Sequence, residues 1–572
     1  MEKIMTKKTQ VVIATLNSKY IHSALAPWCL LAGIRQYCQC TMVSASVIEG
    51  TINEPVENVA QRIIDHKPQV LGLCCYIWNI TKIHKLIAII KQALPNTVIA
   101  VGGPEVSYNA KAVLSKNIMI DYVLSGEGEL PFAQLVDAVN GIGEISQVGG
   151  ICYRNDSDIV VSPPYVSNYD PPTPYCEDYF KSLNGRITYL EGSRGCPYSC
   201  AFCLSGRCGN VRYYDIERTK RELLLLCNSG TQTVKFVDRT FNGNKKRAKE
   251  LYQFIIDNYG GNIPEGVCIH FEIAGDILDS ESLDILSRVP RGAIQLEIGL
   301  QSFNPYTLDA INRKTNVDKL TKNIKALVAM GNMHIHIDLI AGLPLEDLQS
   351  FENSFNTAYG LQPNMLQLGF LKVLYGSAIG ENPPQYGCSY SIIPPYEVTK
   401  TAWLTHNDLV LLQNTEDALE RLYNSGRFRK TLEYLLTATK EAPFMLFSQF
   451  GKYAARQGTV RVSLNDYTAF VYHYFSNKVG IDKAVLRDAM VWDRLSTNAS
   501  GKLPQVLQIK DDKYRQIKQY LQNGSTTKQG RGVKRGIAIL YSKPVAIYVD
   551  YISKNPITGE YKVNAVSLEV IE

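Results

Sequence analysis

Three cysteines near the middle of the chain are spaced to hold a metal cluster. Cys196, Cys200 and Cys203 form a Cys-x3-Cys-x2-Cys triplet within EGSRGCPYSCAFCLSGRCG. Three thiolates can bind three irons of a [4Fe–4S] cluster and leave the fourth iron open, whereas clusters that only carry electrons are normally held by four cysteines. The triplet therefore predicts a cluster that takes part in chemistry, held in a tight loop that Gly195 and Pro197 favour.

A structural zinc ion is the alternative occupant of this loop. Zinc sites of that kind need four ligands and usually pair Cys-x2-Cys units. Cys208 could be the fourth thiolate, although the spacing of its partners does not repeat. The chain has 14 cysteines and the last is Cys388, so any cluster lies upstream of the final third. The cysteines inside apolar runs, such as Cys74, are interpreted as small buried hydrophobes.

Composition describes an ordinary globular chain of several domains. Its 572 residues are 45% hydrophobic and 20% charged, with a net charge of +6. That length exceeds one compact core, and that charge permits an anionic ligand or nucleic acid without indicating either. No apolar run of about 18 residues predicts a membrane span. The polar start leads straight into VVIATL, unlike a signal peptide, so the expected location is cytoplasmic, without a membrane partner.

The first block, 1–145, alternates five apolar runs with amphipathic helical patterns. Runs without polar alternation are typical of parallel strands covered on both faces, so the block predicts a doubly wound, Rossmann-like parallel sheet. In such sheets ligands bind beyond the carboxyl ends of the strands. The expected strands are 11–16, 42–47, 69–75, 97–101 and 120–124.

The second block, about 186–380, again alternates strands and helices and predicts a partial β/α TIM barrel of six units. A proline-rich linker, 146–185, precedes it and contains an expected hairpin at 149–162. The cysteine triplet follows the first barrel strand, which is the end where barrels of this type carry their sites. The expected strands are 186–191, 233–238, 268–273, 293–298, 333–340 and 365–370.

The third block, 381–572, is a mainly helical domain with a small β element at 537–551 and 561–570. A basic run precedes the β element and comprises Lys528, Arg531, Lys534 and Arg535. It favours either phosphate binding, with a steep salt dependence, or simply a solvated loop. Asp488 and Asp493 could line a barrel mouth, but exposed helix-surface acids are the expected interpretation.

A Cys-x3-Cys-x2-Cys triplet with Phe202 before its last cysteine, following the first strand of a partial barrel, resembles the radical S-adenosylmethionine (SAM) superfamily. Further segments of the second block are similar to motifs of that family: VDRTFN at 237–242, EIGLQS at 297–302 with Arg313 downstream, and IAGLPLE at 340–346. The resemblance implies that SAM chelates the open iron and is cleaved reductively to a 5′-deoxyadenosyl radical. The SAM-binding residues that it implies are Phe202, Asp238, Glu272, Glu297, Gln301 and Gly342.

Two of these assignments have a simpler alternative. Glu272 and Glu297 each lie in a strand and could be carboxylates paired within the barrel, because buried charges are normally paired. Gly342 could be only a turn glycine. The second-strand motif carries Arg239 where related proteins often have a second acid, which alters the contacts expected for the methionine amino group.

A doubly wound domain before such a barrel resembles the cobalamin-binding radical SAM group. The cobalamin contacts implied by the loops at the carboxyl edge are Asn17, Tyr76, Gly102, Gly103, Ser125 and Gly126. Histidine-ligated members carry Asp-x-His-x-x-Gly after the first strand, but here His22 has Tyr20 and Leu25 at the flanking positions. The carboxylate that would orient the imidazole is missing. We therefore expect cobalamin without a histidine ligand; the alternative is a domain that no longer binds it.

The resemblance implies an enzyme that methylates an unactivated carbon, using cobalamin and SAM. Related enzymes use the same cofactors for rearrangement, cyclisation or oxidation, or act on tRNA, and a non-catalytic cluster sensor is a further alternative. The expected substrate is a small molecule, a peptide or RNA. The expected partner is an electron donor such as flavodoxin or ferredoxin.

Overall fold

The computed structural model describes residues 8–458, 462–510, 513–523 and 534–570. The chain divides into two compact units. The first comprises 1–274, 311–314 and 371–399, and the second comprises 275–310, 315–370 and 400–572. The described residues contain no helix long and apolar enough to cross a membrane.

The first unit begins with a seven-stranded sheet in the order β2-β1-β3-β4-β5-β6-β7. β1 to β5 are parallel, as the apolar runs predict, and the hairpin β6–β7 from the expected linker extends the sheet in the antiparallel direction. The strands are β1 (Thr9–Asn17), β2 (Val43–Thr51), β3 (Val70–Cys74), β4 (Val98–Gly102), β5 (Tyr122–Leu124), β6 (Ile151–Asn155) and β7 (Asp158–Val161).

Helices α2 and α3 of this sheet each bury one apolar stripe. In α2 the buried residues are Val56, Val59, Ala60 and Ile63, which is the spacing of one helix face. α3 does the same with isoleucines, and both faces pack on the fully buried β3. The helices are α1 (Ala26–Tyr37), α2 (Val56–Asp65), α3 (Ile80–Ala93), α4 (Pro104–Ser107), α5 (Ala110–Lys116), α6 (Glu129–Val139) and α7 (Glu177–Leu183).

The rest of the first unit holds three parallel barrel strands and the cysteine triplet. β8, β11 and β12 pair in that order, and β9 and β10 form a short antiparallel ribbon around the triplet. The elements are β8 (Thr188–Leu190), β9 (Ser193–Arg194), β10 (Arg212–Tyr213), α8 (Ile216–Cys227), β11 (Thr233–Phe236), α9 (Lys245–Asn258) and β12 (Cys268–Ile273).

The second unit contains the other three barrel strands, β13, β14 and β15, which are also parallel. The six strands occupy the predicted positions, so the expected partial barrel is confirmed. The elements are α10 (Ser280–Ser287), β13 (Ile294–Gln301), α11 (Pro305–Ala310), α12 (Val317–Met330), β14 (His334–Ala341), α13 (Leu348–Gly360) and β15 (Met365–Phe370).

The chain then returns to the first unit with α14 (Ala378–Glu381) and β16 (Cys388–Tyr390), and β17 (Val398–Thr401) follows. The last part of the second unit is mainly helical with a small β element, as predicted. That element is a three-stranded antiparallel sheet, in which the expected run 537–551 forms two strands. Its elements are α15 (His406–Leu419), α16 (Arg429–Thr439), α17 (Pro443–Arg456), α18 (Leu464–Phe475), α19 (Lys483–Thr497), α20 (Lys513–Asn523), β18 (Arg535–Leu540), β19 (Val545–Lys554) and β20 (Tyr561–Ser567).

Candidate functional site

The three cysteines converge in one loop, which we call the cluster loop (195–211). It runs from the end of β9 to the start of β10, so the ribbon closes its base. The three thiols are close enough that Cys196 and Cys203 both act on the pKa of Cys200. Three converging thiols with no disulfide between them suit an iron–sulfur cluster with one open iron. The Cys208 side chain, invoked by the zinc alternative, lies outside the described side chains.

Polar groups lie beside the sulfur atoms of this loop. Burial raises the pKa of Cys200, while the Arg313 guanidinium opposes that effect and lies 3.6 Å from the Cys200 Sγ. The backbone amide of Ser205 donates to the Cys203 Sγ at 3.4 Å, and the Cys196 Sγ lies 3.4 Å from the Thr240 hydroxyl. Donors to sulfur tune the reduction potential of a bound cluster.

The contacts of Arg313 predict a potential shift. In Arg313→Gln, we expect the potential of a bound cluster to fall by up to about 60 mV, because the loss of about 1.4 kcal/mol from the reduced state alone corresponds to about 60 mV in a one-electron step. The reduced cluster carries the extra negative charge, so it loses more stabilisation than the oxidised one. A redox titration followed by EPR measures the shift, and an unchanged or higher potential would contradict the prediction.

A segment distant in sequence holds the cluster loop. The amide of Ala201 donates to the Ile311 carbonyl at 2.8 Å, and the Asn312 side chain donates to the Ser199 hydroxyl at 2.7 Å. Sequence analysis noted Arg313 and Thr240 only as parts of motifs and missed Ile311 and Asn312. The only sequence signal was that Arg313 follows EIGLQS in the family pattern.

Asp238 binds the chain that leads into the cluster loop. Its carboxylate is buried and accepts hydrogen bonds from the Gly192 amide at 2.7 Å and from the Ser193 hydroxyl at 2.5 Å. Burial raises the pKa of Asp238 to about 6, against the effect of these two donors. The side chain predicted to contact SAM is therefore already engaged in fixing the loop that precedes Cys196.

Glu272 lies on β12 beside two cations of the first unit. Its carboxylate is 3.5 Å from the Lys235 ammonium and 3.9 Å from the Arg239 guanidinium. The Arg239 side chain is 57% exposed, so Arg239 is accessible to a ligand. The contacts agree with the alternative that Glu272 is a paired barrel carboxylate.

Glu297 is likewise paired, in the second unit. It stands opposite His336 in the β13–β14 register, with 3.8 Å between the carboxylate and Nδ1, and Asp338 lies 2.9 Å from the other ring nitrogen. At the end of the same strand Gln301 has a φ of +73°, and the register with β14 shifts there. Strained backbone and bulges are frequent beside active sites, where they re-aim a side chain.

The other two residues predicted to bind SAM lie at loops of different units. Phe202 is half-buried in the cluster loop, and Gly342 has a φ of +91° after β14 in the second unit.

Glu346, four residues after Gly342, is 0% exposed and accepts hydrogen bonds from Ser302 and Ser354. Burial raises the pKa of Glu346 to about 7, despite both hydroxyl donors.

Glu346 gives a pH-dependent prediction. Its folded pKa of about 7 exceeds the ordinary value of 4.5, so the folded state binds the proton more tightly. Its contribution to stability is complete below about pH 4.5 and is lost as the pH rises through 7, by about 3 kcal/mol at most. In Glu346→Gln this loss is absent. We expect the melting temperature of the variant, relative to the wild type, to increase between pH 5 and pH 8.

The seven-stranded sheet places the predicted cobalamin residues at one edge. Its parallel strands run in the order 2-1-3-4-5, and ligands of such sheets bind at the switch point between β1 and β3, beyond the carboxyl ends. Large side chains in the loops there are exposed, namely Tyr20, Trp78 and Tyr108. Apolar groups left in solvent at a ligand edge fit a large macrocycle such as a corrin.

Several of these residues have partners within the protein. Asn17 is buried and donates to Glu49 at 2.8 Å, and Ser125 donates to the Ser107 carbonyl at 3.1 Å. The Tyr76 ring stacks on Trp78 with 4.4 Å between centroids. Burial raises the pKa of the Tyr76 hydroxyl.

The glycines of the edge are needed for backbone packing. A Cβ on Gly103, which has a φ of +111°, would lie 2.5 Å from the Cys75 carbonyl oxygen. A Cβ on Gly126 would lie 2.1 Å from the Tyr165 carbonyl oxygen. At Gly102 the nearest atom would be 3.3 Å away. Gly103 and Gly126 therefore allow the loops to close, which shapes the edge whether or not they contact a ligand.

His22 is held by the first barrel strand. Its Nδ1 lies 2.6 Å from the Tyr189 hydroxyl, and its backbone forms a parallel bridge with Ile187. Burial lowers the pKa of His22, and Lys19 and Lys235 add to that effect. The imidazole is thus engaged within the protein, which is what a structural role for His22 requires.

Residues 371–399, which we call the strap, contact both the cluster loop and the edge of the seven-stranded sheet. The Ile379 amide donates to the Ala201 carbonyl in the cluster loop at 3.0 Å. At the sheet edge the Tyr396 hydroxyl bonds Glu105, and Gly376 packs on the Tyr108 ring. Sequence analysis missed this role, because nothing in the strap's composition indicates where it folds back.

The candidates in the third block have structural partners. Asp488 accepts from the amides of Tyr541 and Ser542 at 2.7 Å, and Asp493 accepts from the amides of Lys430 and Thr431 at 2.9 Å. Both aspartates are buried, so the expectation of exposed helix-surface acids was wrong: each carboxylate satisfies backbone donors of another segment.

One residue of the basic run, Arg535, is paired within the protein. Arg535 bonds both carboxylate oxygens of Asp550, at 2.6 and 2.8 Å, and its guanidinium lies 4.3 Å from the Tyr548 ring centroid. Lys534 is exposed, while Lys528 and Arg531 lie outside the described residues.

Three family models match consecutive parts of the chain. Residues 11–136 match the B12 binding domain, 190–358 match the Radical SAM superfamily, and 384–535 match a protein family of unknown function, DUF4080. Together these cover the parallel strands β1–β5, most of the barrel with its cysteine triplet, and most of the helical third block.

Curated relatives match about half of the chain. The chain is 27% identical over 322 residues to the cobalamin-dependent radical SAM methyltransferase TokK of Streptomyces tokunonensis, covering 53% of this chain and 46% of TokK. It is also 27% identical over 277 residues to the anaerobic magnesium-protoporphyrin IX monomethyl ester cyclase of Synechocystis, covering 46% and 54%. The chain thus spans about half the length of these relatives.

Among solved structures, the cobalamin-dependent SAM radical enzyme OxsB with aqua-cobalamin bound has a similar fold. The TM-score is 0.57 at 14% identity, over 91% of this chain and 82% of OxsB. At that identity the likeness concerns the fold, which combines a doubly wound sheet with a partial barrel in one chain.

Proposed function

Because the chain belongs to the cobalamin-binding radical SAM proteins, with a B12-binding domain before a radical SAM domain, we propose that it is a cobalamin-dependent radical SAM enzyme that methylates an unactivated carbon. The observation that carries the proposal is the convergence of three thiols in a loop of the same unit as the B12-binding sheet. TokK, a named methyltransferase, provides the precedent for the reaction class.

The proposed cofactors are a [4Fe–4S] cluster, SAM and cobalamin. Bound together, they supply a 5′-deoxyadenosyl radical for hydrogen abstraction and a methyl group for transfer. Cys196, Cys200 and Cys203 would hold the cluster, and Arg313 would stabilise the thiolate of Cys200. Asp238 holds the chain entering the loop, and Gln301 occupies strained backbone at the end of β13. The protein's contribution is to orient these groups and to exclude competing reactions.

We also propose that the cobalamin has no histidine ligand. His22 is the histidine nearest in sequence to the ligand loops of β1, and the Tyr189 hydroxyl already engages its ring. The test is the EPR spectrum of protein-bound cob(II)alamin. Superhyperfine splitting from a histidine nitrogen that disappears in His22→Ala would overturn this proposal, and its absence in the wild type would support it.

The test of the function measures two products from SAM. Reconstituted protein is incubated anaerobically with hydroxocobalamin, SAM, a reductant such as flavodoxin, and a panel of small-molecule, peptide and RNA substrates. Methyl transfer yields both 5′-deoxyadenosine and S-adenosylhomocysteine, in amounts that rise together with the correct substrate. 5′-Deoxyadenosine without S-adenosylhomocysteine on a converted substrate would replace the methyltransferase proposal with a cyclisation or oxidation like that of the cyclase relative.

Spectroscopy separates the cofactors before any substrate is known. A UV–visible spectrum of protein reconstituted with and without hydroxocobalamin reports the cluster and the corrin together. A cluster band without retained corrin would keep the radical SAM assignment and remove the cobalamin one. SAM cleavage absent from protein that holds an intact cluster would favour the non-catalytic sensor instead.

A further inference from the structure

Two arginines and three glutamates join the sheet edge to the base of the cluster loop. We call them the clamp: Glu127, Glu129, Glu191, Arg194 and Arg212. Arg194 bonds all three carboxylates, at 2.7 Å to Glu127, 2.5 Å to Glu129 and 2.9 Å to Glu191. Arg212 grips Glu127 with both terminal nitrogens, at 2.7 and 2.9 Å.

The clamp is almost shielded from water. The side chain of Arg194 is 19% exposed and that of Glu129 is 8% exposed. A buried ion cluster of this kind gives little net stability compared with apolar packing, because each charge loses its hydration. Its geometry is nevertheless well defined, since the guanidinium fork of an arginine fixes both the distance and the plane of a carboxylate.

The clamp's members lie beside both predicted cofactor sites. Arg194 and Arg212 face each other in the β9–β10 register, and Arg194 is two residues before Cys196. Glu127 follows the predicted cobalamin residue Gly126, and Glu129 begins α6. Helix α1 also packs closely against the start of α6, because a Cβ on Gly33 would lie 2.2 Å from the Glu129 carbonyl oxygen.

We infer that the clamp positions the cobalamin edge relative to the cluster loop. This inference rests on the proposed function, in which two cofactors act on one substrate in turn. Displacement of a reacting group by about 1 Å can cost about 100-fold in rate, so a device that fixes the separation has a large effect without touching the substrate. Glu127, Glu129, Arg194 and Arg212 are positioning residues in this sense.

The test uses full-length protein loaded with the [4Fe–4S] cluster and with cob(II)alamin. The relaxation enhancement of cob(II)alamin by the reduced cluster, measured by pulsed EPR, depends steeply on their separation. Glu127→Gln removes the negative charge that both arginines contact. In this variant we expect the single relaxation enhancement of the wild type to be replaced by a broad distribution of enhancements, because the distance between cob(II)alamin and the cluster is no longer fixed. Iron content and bound cobalamin per chain stay at the wild-type level.

Asp121→Asn is the matched control, because Asp121 pairs with Lys91 at 2.9 Å within the cobalamin domain alone. It should leave the enhancement unchanged. Should Glu127→Gln not fold, Arg212→Lys keeps the charge, loses the two-pronged contact and should broaden the enhancement less. A Glu127→Gln or Arg212→Lys protein that holds both cofactors and shows the wild-type enhancement overturns the inference.

Hydrogen exchange separates failure of the inference from failure of the proposed function. If the wild type retains no cobalamin, the proposed function fails, and the clamp is tested by amide exchange alone. Glu127→Gln, or Arg212→Lys in its place, should then speed exchange in both 125–139 and 193–213, while Asp121→Asn should not. Unchanged exchange in either segment would overturn the inference.

Discussion

Cys200→Ala should abolish reductive cleavage of SAM, with more than about 100-fold less 5′-deoxyadenosine, since even the partners of metal ligands are worth about 10- to 100-fold. Cys200 is the buried member of the triplet, and the Arg313 guanidinium lies 3.6 Å from its sulfur. Without this thiolate the cluster retains two of its three ligands, and the arginine faces a methyl group. Iron and sulfide analysis, the visible cluster band and product assays measure the effect.

Cys227→Ala is the control for that experiment. Cys227 is also buried, but it lies in α8 outside the cluster loop, and burial raises its pKa to about 12. Its loss should cost about 1 kcal/mol of packing and leave the cluster band and SAM cleavage intact. A cluster that survives in Cys200→Ala, or disappears in Cys227→Ala, would be incompatible with the assignment of the triplet.

Gly126→Ala should remove cobalamin binding and lower the melting temperature of the first unit. The new methyl group would lie 2.1 Å from the Tyr165 carbonyl oxygen, on a residue whose φ is +92°. Backbone strain of this kind costs about 1–3 kcal/mol, and the clash with backbone atoms adds to it. The loop after β5 must therefore open, which displaces both the predicted corrin contacts and the clamp. Titration with hydroxocobalamin and thermal melting measure the two effects.

Gly141→Ala is the control that separates the effect of backbone strain at a positive φ from the effect of displacing the loop after β5. Gly141 follows α6 in the same domain with a φ of +81°, but a Cβ there meets no atom within 4 Å. This variant should lose about 1–2 kcal/mol from backbone conformation and bind cobalamin as the wild type does. Equal corrin binding by Gly126→Ala and Gly141→Ala would refute the role given to the closed loop.

Local patterns determined the elements and the cluster loop. The expected strands at 69–75, 97–101 and 268–273 coincide closely with β3, β4 and β12. Short apolar runs of this length are typical of parallel strands covered on both faces, as in β3 and β4. The cysteine triplet is equally local: its spacing alone brings three sulfurs to one loop. The resemblance to the radical SAM superfamily depends on this spacing and on other local motifs, and not on distances between residues.

Partner choice could not be determined locally. The chain has 60 lysines and arginines and 54 aspartates and glutamates, so nothing in the sequence pairs Arg194 with Glu127, 67 residues away. For the same reason the sequence did not indicate that Asp238, which is predicted to contact SAM, binds Gly192 and Ser193. Asp488 was expected in solvent but is buried. Such choices depend on which segments the fold brings together.

The sequence by itself thus determined the order of strands along the chain, the three-cysteine chemistry and the absence of the histidine loop around His22. Only the tertiary structure decided the spatial strand order 2-1-3-4-5, the addition of the β6–β7 hairpin, and the contacts of Arg313 and the strap with the cluster loop. The physical reason is range. Periodicity and spacing act over a few residues, whereas ion pairs, close glycine contacts and sheet order join residues tens to hundreds of positions apart.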